Sequence, residues 1–208
     1  IIRELKLPKF GLEILPLEST FTPMEGDYLF RTSDADQTYR EIYRHSQRDA
    51  ENYIRFGPLM GQIGMAVRPI LETVAPNAQK PSISDLKSLK RLLGHVKALS
   101  SEHFEYLCKL MTMSSSDFLD EWFEFEPLKA TMSASGIIGT FMGPRSPGSA
   151  YVMLHHYMGD IDGAFRAWGF QRGGTGEVSM AIARSAQHFG AEFKTESEVN
   201  KVIIKNGK

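Results

Sequence analysis

Apolar residues recur at helical spacing along most of the chain, with polar residues between them. Leu86, Leu89, Leu93 and Val96 lie three, four and three positions apart, which places them on one face of a helix. The other face of this helix is basic and is interpreted as solvated, with Lys87, Lys90, Arg91 and Lys97. The next helix is expected to bury four residues against the core, namely Phe104, Leu107, Cys108 and Met111.

Capping residues and prolines indicate where other helices begin. Asp34 is typical of a helix start, and Ser46-x-x-Asp49 resembles a capping box. A helix near Asp117 is expected to bury Phe118, Leu119, Trp122 and Phe123, and the following helix takes Pro127 at its first position. The last helix is predicted from Glu177 to Phe189, ended by Gly190 in the left-handed conformation.

Strand-like alternation is weaker and lies near the two ends of the chain. Short strands are predicted near residues 12–17 and 27–31, and two more in "AEFKTE" (191–196) and "VNKVIIKN" (199–206). Asn206-Gly207 predicts a hairpin turn whose return strand begins at Lys208. We therefore expect the chain to be an internal piece of a longer protein, cut in mid-hairpin. The fold class is α+β, mostly helical.

The composition excludes several classes of protein. The chain has 208 residues, of which 42% are hydrophobic, and this is enough for a packed core. Its net charge is −1 and its basic residues are scattered, so no basic surface for nucleic acid is expected. Its apolar runs are too short for a transmembrane segment, and no secretory signal is visible. Cys108 is the single cysteine, so an internal disulfide is excluded. A cytoplasmic location is expected, or the mitochondrial matrix in a eukaryote.

One glycine-rich stretch suggests nucleotide chemistry. "GFQRGGTGEVSMAIARSAQHFGAEF" (169–193) contains Gly174-x-Gly176-x-x-Ser179, close to the dinucleotide fingerprint, with Glu192 at a distance suited to a ribose. The preceding "AFRAWGFQR" is a poor central strand, and Ser179 replaces the last glycine. Three interpretations stay open: a phosphate cradle, a sharp turn before a helix, or close backbone approach to a flat cofactor.

Other polar residues give weaker indications. His155 and His156 are adjacent and point in different directions, and no cluster supplies further ligands, so no metal site is expected. One of them is a candidate for a buried hydrogen bond, the other for a cavity wall, and acid–base work by either stays open. The acidic run from Asp117 to Glu126 is interpreted as a first helical turn and a solvated face. Small residues near Gly136 indicate close approach by a helix or a ligand.

Three segments together resemble the phytoene-dehydrogenase-like flavoproteins, in particular those of the pyridine nucleotide-disulphide oxidoreductase domain-containing type. They are "WFEFEPLKA" (122–130), "PGSAYVMLHHYMG" (147–159) and "AWGFQRGGTG" (167–176). Weaker similarity covers "RELKLPKFGL" (3–12) and "SQRDA" (46–50), so the resemblance spans nearly the whole chain.

The resemblance implies an FAD-dependent oxidoreductase of the amine-oxidase and carotenoid-desaturase superfamily that acts on a small apolar substrate. It implies a substrate-binding domain in residues 1–168 and a returning β-α-β edge of the FAD domain in 169–208. Gly173, Gly174 and Gly176 resemble the loop near the flavin ring, and Val199 resembles the residue whose backbone pairs with the adenine. His155, His156 and Trp168 are implied near the substrate, and no catalytic residue is identified.

The resemblance also implies that the glycine fingerprint for the FAD pyrophosphate lies outside this chain. We therefore expect the chain by itself to bind FAD weakly or not at all and to be inactive. The alternative is a non-catalytic helical binding module that retains the fold. The substrate, the electron acceptor and the oligomeric state are not indicated.

Overall fold

The chain forms eight α-helices and six short strands in the part that the structure describes. This computed structural model describes residues 1–71, 73–75, 79–97, 99–161, 164–165 and 168–205. The contacts divide the chain into two compact units, Ile1–Pro16 with Gly169–Lys208, and Leu17–Trp168. We call them unit 1 and unit 2.

Unit 1 contains little regular structure. A 3-10 turn covers Leu7–Phe10, strand β1 covers Ile14–Pro16, β6 covers Gly169–Gln171, and helix α8 covers Gly176–His188. β1 and β6 pair antiparallel, with Leu15 opposite Phe170. The small core is formed by the 3-10 turn against α8, where Leu7, Leu12 and Ala181 are buried. Ser185 Oγ donates to Leu5 O at 2.7 Å and fastens α8 to the chain start.

Unit 2 contains a β-hairpin and seven helices. The hairpin pairs β2 (Ser19–Met24) with β3 (Asp27–Thr32) antiparallel. The helices are α1 (Ala35–Tyr43), α2 (Gln47–Leu71), α3 (Ile83–Lys97), α4 (Ser101–Thr112), α5 (Ser115–Asp120), α6 (Glu126–Ser133) and α7 (Ser149–His156). A two-residue pair follows, β4 (Asp160–Ile161) with β5 (Ala164–Phe165). The hairpin is fastened to α6, since the Oγ1 atoms of Thr22 and Thr131 lie 3.0 Å apart.

The core of unit 2 is built mainly by α2, α4, α5, α6 and α7. Phe56 lies at its centre and contacts the rings of Trp122 and Phe123, each with centroids 5.3 Å away. Phe118, Leu119, Trp122 and Phe123 are all buried, so that prediction is confirmed. The prediction for α4 was wrong in three positions: Leu107 is buried, but Phe104, Cys108 and Met111 are exposed. The buried stripe is Leu107 with Leu110, which is displaced by about one residue, or 100°, from the stripe that was expected.

Most predicted helix ends are confirmed. Asp34 Oδ1 accepts from the backbone N–H of Gln37, Ser46 Oγ accepts from that of Asp49, and Gly190 has φ +93° just after α8. The strands predicted at 191–196 and 199–206 do not form in the described residues, because Ala191–Lys205 have no partner strand and are exposed. The predicted β-α-β edge therefore lacks its second strand. The Asn206-Gly207 turn lies outside the described residues.

The predicted division after residue 168 falls where the structure also divides the chain. The structure assigns residues 1–16 to the same unit as 169–208, however, because β1 pairs with β6 and the 3-10 turn packs on α8. The functional roles given to the two parts stay predictions.

Candidate functional site

The glycine loop of unit 1 connects β6 to α8. Gly173 and Gly174 have φ of +85° and +95°, a conformation that glycine adopts without steric cost. The turn is closed by the N–H of Gly174, which donates to Gln171 O at 3.0 Å. These two glycines are therefore required by the turn itself.

Gly176 differs from them. It is the first residue of α8, and a Cβ placed there would meet no described atom within 4 Å. Glycine is unfavourable in a helix, by about 1 kcal/mol relative to alanine. The described packing therefore does not explain why this position is glycine.

The loop does not fit the pyrophosphate of a dinucleotide. Such a loop follows a buried parallel strand, whereas β6 is three residues long, pairs antiparallel in a two-stranded sheet, and leaves Phe170 63% exposed. The first turn of α8 already holds the Glu177 carboxylate, which accepts from Arg184 Nη2 at 2.9 Å. A second anion at this helix start would be repelled by that carboxylate. Close backbone approach by a flat group remains compatible with the loop.

The remaining unit 1 candidates lie in the exposed segment after α8. Glu192 and Val199 are both exposed, and Val199 is 78% exposed. Neither belongs to a helix or strand, so the backbone N–H and C=O groups of Val199 are not engaged in a strand pair.

In unit 2, the structure brings His155, His156 and Trp168 together. The His156 ring stacks on Trp168, with centroids 5.2 Å apart and planes 20° apart, and is perpendicular to the His155 ring. Trp168 is itself held in place by its carbonyl, which accepts from the N–H of Leu17 at 2.8 Å. His155 is exposed, His156 is half-buried, and Trp168 is 43% exposed.

The hydrogen bond of His156 determines what its ring can do. Nδ1 lies 2.8 Å from Val152 O, and a carbonyl oxygen can only accept, so Nδ1 carries the proton. In the neutral ring Nε2 is then the acceptor. The stacked pair therefore offers an aromatic surface with one proton-accepting nitrogen at its edge, which suits a flat or apolar molecule with a single donor.

A separate shallow cavity of about 260 Å³ lies on unit 2, lined by Arg55, Pro58, Leu59, Gln62, Glu102, His103 and Trp122. None of the site residues predicted from the sequence lines it. The sequence did not predict this cavity, because its lining comes from α2, α4 and the turn after α5, and only Trp122 belongs to a family-like segment.

Two of the family-like segments are joined through one buried carboxylate. Asp49 in "SQRDA" is fully buried and accepts from the backbone N–H of Glu124 at 2.9 Å and of Phe125 at 2.8 Å, in "WFEFEPLKA". Ser46 Oγ donates to the Glu124 carboxylate at 2.8 Å. These contacts therefore hold α2 against the start of α6. The sequence predicted the cap that Ser46 forms at the start of α2, but not the contacts with Glu124 and Phe125.

A third family-like segment has a similar structural role. Ser149, at the start of α7, accepts from the N–H of Ser115 at 2.8 Å and donates to the carbonyl of Ser146 at 2.8 Å. A Cβ on Gly136 would lie 2.7 Å from Ser115 Oγ and 2.9 Å from Ser149 O. The close approach expected near Gly136 is thus made by other helices of the chain, so no ligand is needed to explain it.

The acidic run near α5 is paired with lysines at the surface. Lys129 donates hydrogen bonds to Asp120 and Glu126, which raise its pKa, and the hydrogen bond that Lys109 donates to Glu121 raises the pKa of Lys109. Asp117 accepts from Ser114 Oγ at 2.7 Å in the first turn of α5. The interpretation of this run as a first turn and a solvated face is confirmed.

Among the described residues, no group of three or more His, Cys, Asp or Glu side chains is placed to hold a metal ion. No helix in the same residues has both the length and the apolar character needed to cross a bilayer.

The chain is similar to curated proteins over nearly its whole length. It is 35% identical to pyridine nucleotide-disulfide oxidoreductase domain-containing protein 2 of Rattus norvegicus and 36% identical to the protein of the same name in Mus musculus. Each match covers 98% of this chain and 38% of the relative, so the chain spans well under half the length of either. No family model matches the chain, and no solved structure matches it.

Proposed function

We propose that this chain is part of a flavin-dependent oxidoreductase of the pyridine nucleotide-disulfide oxidoreductase domain-containing type, related to the phytoene dehydrogenases. The proposed reaction removes a hydride from a small apolar substrate in the cytoplasm or the mitochondrial matrix. The proposal is carried by the similarity to relatives of that name, at 35% and 36% identity over 98% of the chain.

In this proposal unit 2 supplies the substrate surface. The stacked pair of His156 and Trp168 would bind the apolar body of the substrate, and Nε2 of His156 would accept one hydrogen bond from it. Unit 1 would contribute the backbone of Gly173, Gly174 and Gly176 beside the flavin ring, and that of Val199 to the adenine. FAD would supply the redox chemistry, and these residues would supply position.

The described residues do not form a pyrophosphate site, so the chain alone is expected to bind FAD weakly or not at all. The first test is a visible absorption spectrum of the purified 208-residue chain, followed by titration with FAD. A tightly bound flavin in this chain would contradict the conclusion, drawn from β6 and Glu177, that the glycine loop does not fit a pyrophosphate.

The second test uses a longer form that also carries a strand–helix unit with G-x-G-x-x-G. We expect that form to purify with a flavin spectrum, and Gly176→Ala to weaken FAD binding without lowering the stability, because the fold accepts a Cβ there. Gly94→Ala in α3 is the matched control. A longer form without flavin would favour the non-catalytic helical module.

A further inference from the structure

Helix α3 of unit 2 presents an apolar surface that no described residue covers. Its half-buried residues, Asp85, Ser88, Leu92 and Val96, follow one another at helical spacing and form the side that packs on the unit, chiefly on α2. The neighbouring arc carries Ile83, Leu86, Leu89 and Leu93, which are 75%, 56%, 45% and 50% exposed. Exposed apolar groups that are contiguous in this way indicate an interaction surface.

The exposed side of α3 is basic, and two of its cations border the leucine arc, whereas the sequence interpretation put all four on the opposite face. Lys87, Lys90, Arg91 and Lys97 are all exposed, and none forms an ion pair with another residue that the structure describes. At 100° per residue, Lys90 and Lys97 lie directly beside the leucine arc. The acid of this helix, Asp85, lies on the half-buried side and accepts from the N–H of Ser82 at 2.7 Å. The exposed arc therefore has cations without any acid.

This charge is local. Residues 65–97 contain six Lys or Arg and two acidic residues, a formal charge of +4, whereas the whole chain has −1. Since the remainder of the chain is acidic on balance, the cations of α3 are not a general property of the surface. Their chemical complement is a surface that is anionic and also accepts aliphatic side chains.

We propose that α3 docks on the surface of an anionic lipid bilayer, with its axis parallel to the membrane plane. Leu86, Leu89 and Leu93 enter the boundary between headgroups and acyl chains, and the cations beside them, Lys90 and Lys97, contact the anionic headgroups. Long cationic side chains beside an apolar stripe suit this geometry, because their stems lie along apolar surface while the charge stays in water. This inference does not depend on the proposed oxidoreductase function.

A bilayer fits the surface better than a protein partner does. The arc is a convex ridge of aliphatic side chains, which a fluid interface accepts without a matching groove. A second copy of the chain would bring the same cations together across a symmetric contact, and like charges there are unfavourable. Charge complementarity and shape thus favour lipid.

The test is co-sedimentation of the whole chain with phosphatidylcholine vesicles that contain or lack phosphatidylserine. We expect binding only to the anionic vesicles, and binding that weakens as salt is raised. Lys90→Gln with Lys97→Gln should weaken binding roughly 30-fold, at the usual contribution of each cation near an anionic membrane. Leu86→Gln with Leu93→Gln should weaken it about 100-fold or more, since two buried leucines are lost.

The matched control is Lys194→Gln with Lys201→Gln, which removes two exposed cations from the segment after α8 and should leave binding unchanged. All substituted side chains are exposed and glutamine favours helix, so circular dichroism should show a retained fold. Absence of binding to anionic vesicles, or equal binding by the α3 variants and the control, would overturn the proposal. A dimer that the leucine variant dissociates, without vesicle binding, would assign the surface to a second copy instead.

Discussion

Replacing Asp49 tests whether one buried carboxylate joins α2 to α6. Its side chain is fully buried, and its two oxygens accept from the N–H groups of Glu124 and Phe125, which precede α6. These donors lie at the helix N-terminus, where a negative charge is favourable. The carboxylate therefore fixes the chain segment that leads into α6 and places a negative charge near the N-terminus of that helix.

Asp49→Ala leaves both N–H groups without their acceptor. Each partly buried donor left unpaired costs about 1–3 kcal/mol. We expect a loss of about 3 kcal/mol in the free energy of unfolding of unit 2. Asp49→Asn keeps one oxygen and the shape of the side chain, so its loss should be smaller, about 1–2 kcal/mol.

The assay is urea unfolding followed by tryptophan fluorescence, because Trp122 and Trp168 are the two tryptophans of the chain and both lie in unit 2. At an m value of about 2 kcal/mol/M, the loss for Asp49→Ala corresponds to a midpoint lower by about 1.5 M. The control is Glu51→Ala, an exposed site on the same helix, which should stay within about 0.5 kcal/mol. A loss below about 1 kcal/mol for Asp49→Ala would refute the role of this carboxylate in joining α2 to α6.

Further predictions concern close packing, backbone conformation and charge. Gly136→Ala should destabilise unit 2 by about 1–3 kcal/mol in the same assay, because its Cβ would lie 2.7 Å from a serine hydroxyl, whereas Gly94→Ala in open space should stabilise α3 by up to about 1 kcal/mol. Gly174→Ala should destabilise unit 1 by about 1–2 kcal/mol, measured by hydrogen exchange in α8, because its φ is +95°. The hydrogen bond from Arg44 lowers the pKa of Asp27, so the stability that this pair adds is present above about pH 4 and is lost as the pH falls through the lowered pKa. Acid-unfolding curves of wild type and Asp27→Asn should therefore converge at low pH, and a constant separation would contradict this.

The sequence predicted helices better than it predicted which of their faces are buried. Caps such as Asp34 and Ser46 act within a few residues, so they can be recognised locally. The buried face of α4 could not be recognised in this way, because two overlapping apolar stripes fit the same helix. Contacts with distant helices decided that Leu110 is buried and Met111 is exposed.

The candidate site was predictable only in part, for a related reason. The pairing of His156 with Trp168 joins two residues that are twelve positions apart, and no local pattern in the sequence shows it. The contact of Asp49 with the backbone N–H of Glu124 joins residues that are 75 positions apart, so no local pattern predicts it either. The mismatch between the glycine loop and a dinucleotide fingerprint could be predicted, because it depends on the segment directly before the loop. In the structure, β6 of this segment forms a short antiparallel pair, which confirms that the segment is a poor central strand.

The segments that resemble the family most strongly carry mixed information about function. Much of "SQRDA", "WFEFEPLKA" and "PGSAYVMLHHYMG" serves to hold helices together, through the hydrogen bonds of Asp49 with Glu124 and of Ser115 with Ser149. Resemblance in those segments is therefore evidence for a shared fold more than for shared chemistry. The positions whose identity the described packing does not require are the better indicators of chemistry. Gly176 is such a position, and the leucines of α3 are exposed without a described partner. Substitution there should change binding without lowering stability, whereas substitution at Asp49 or Gly136 should lower stability and leave binding unchanged.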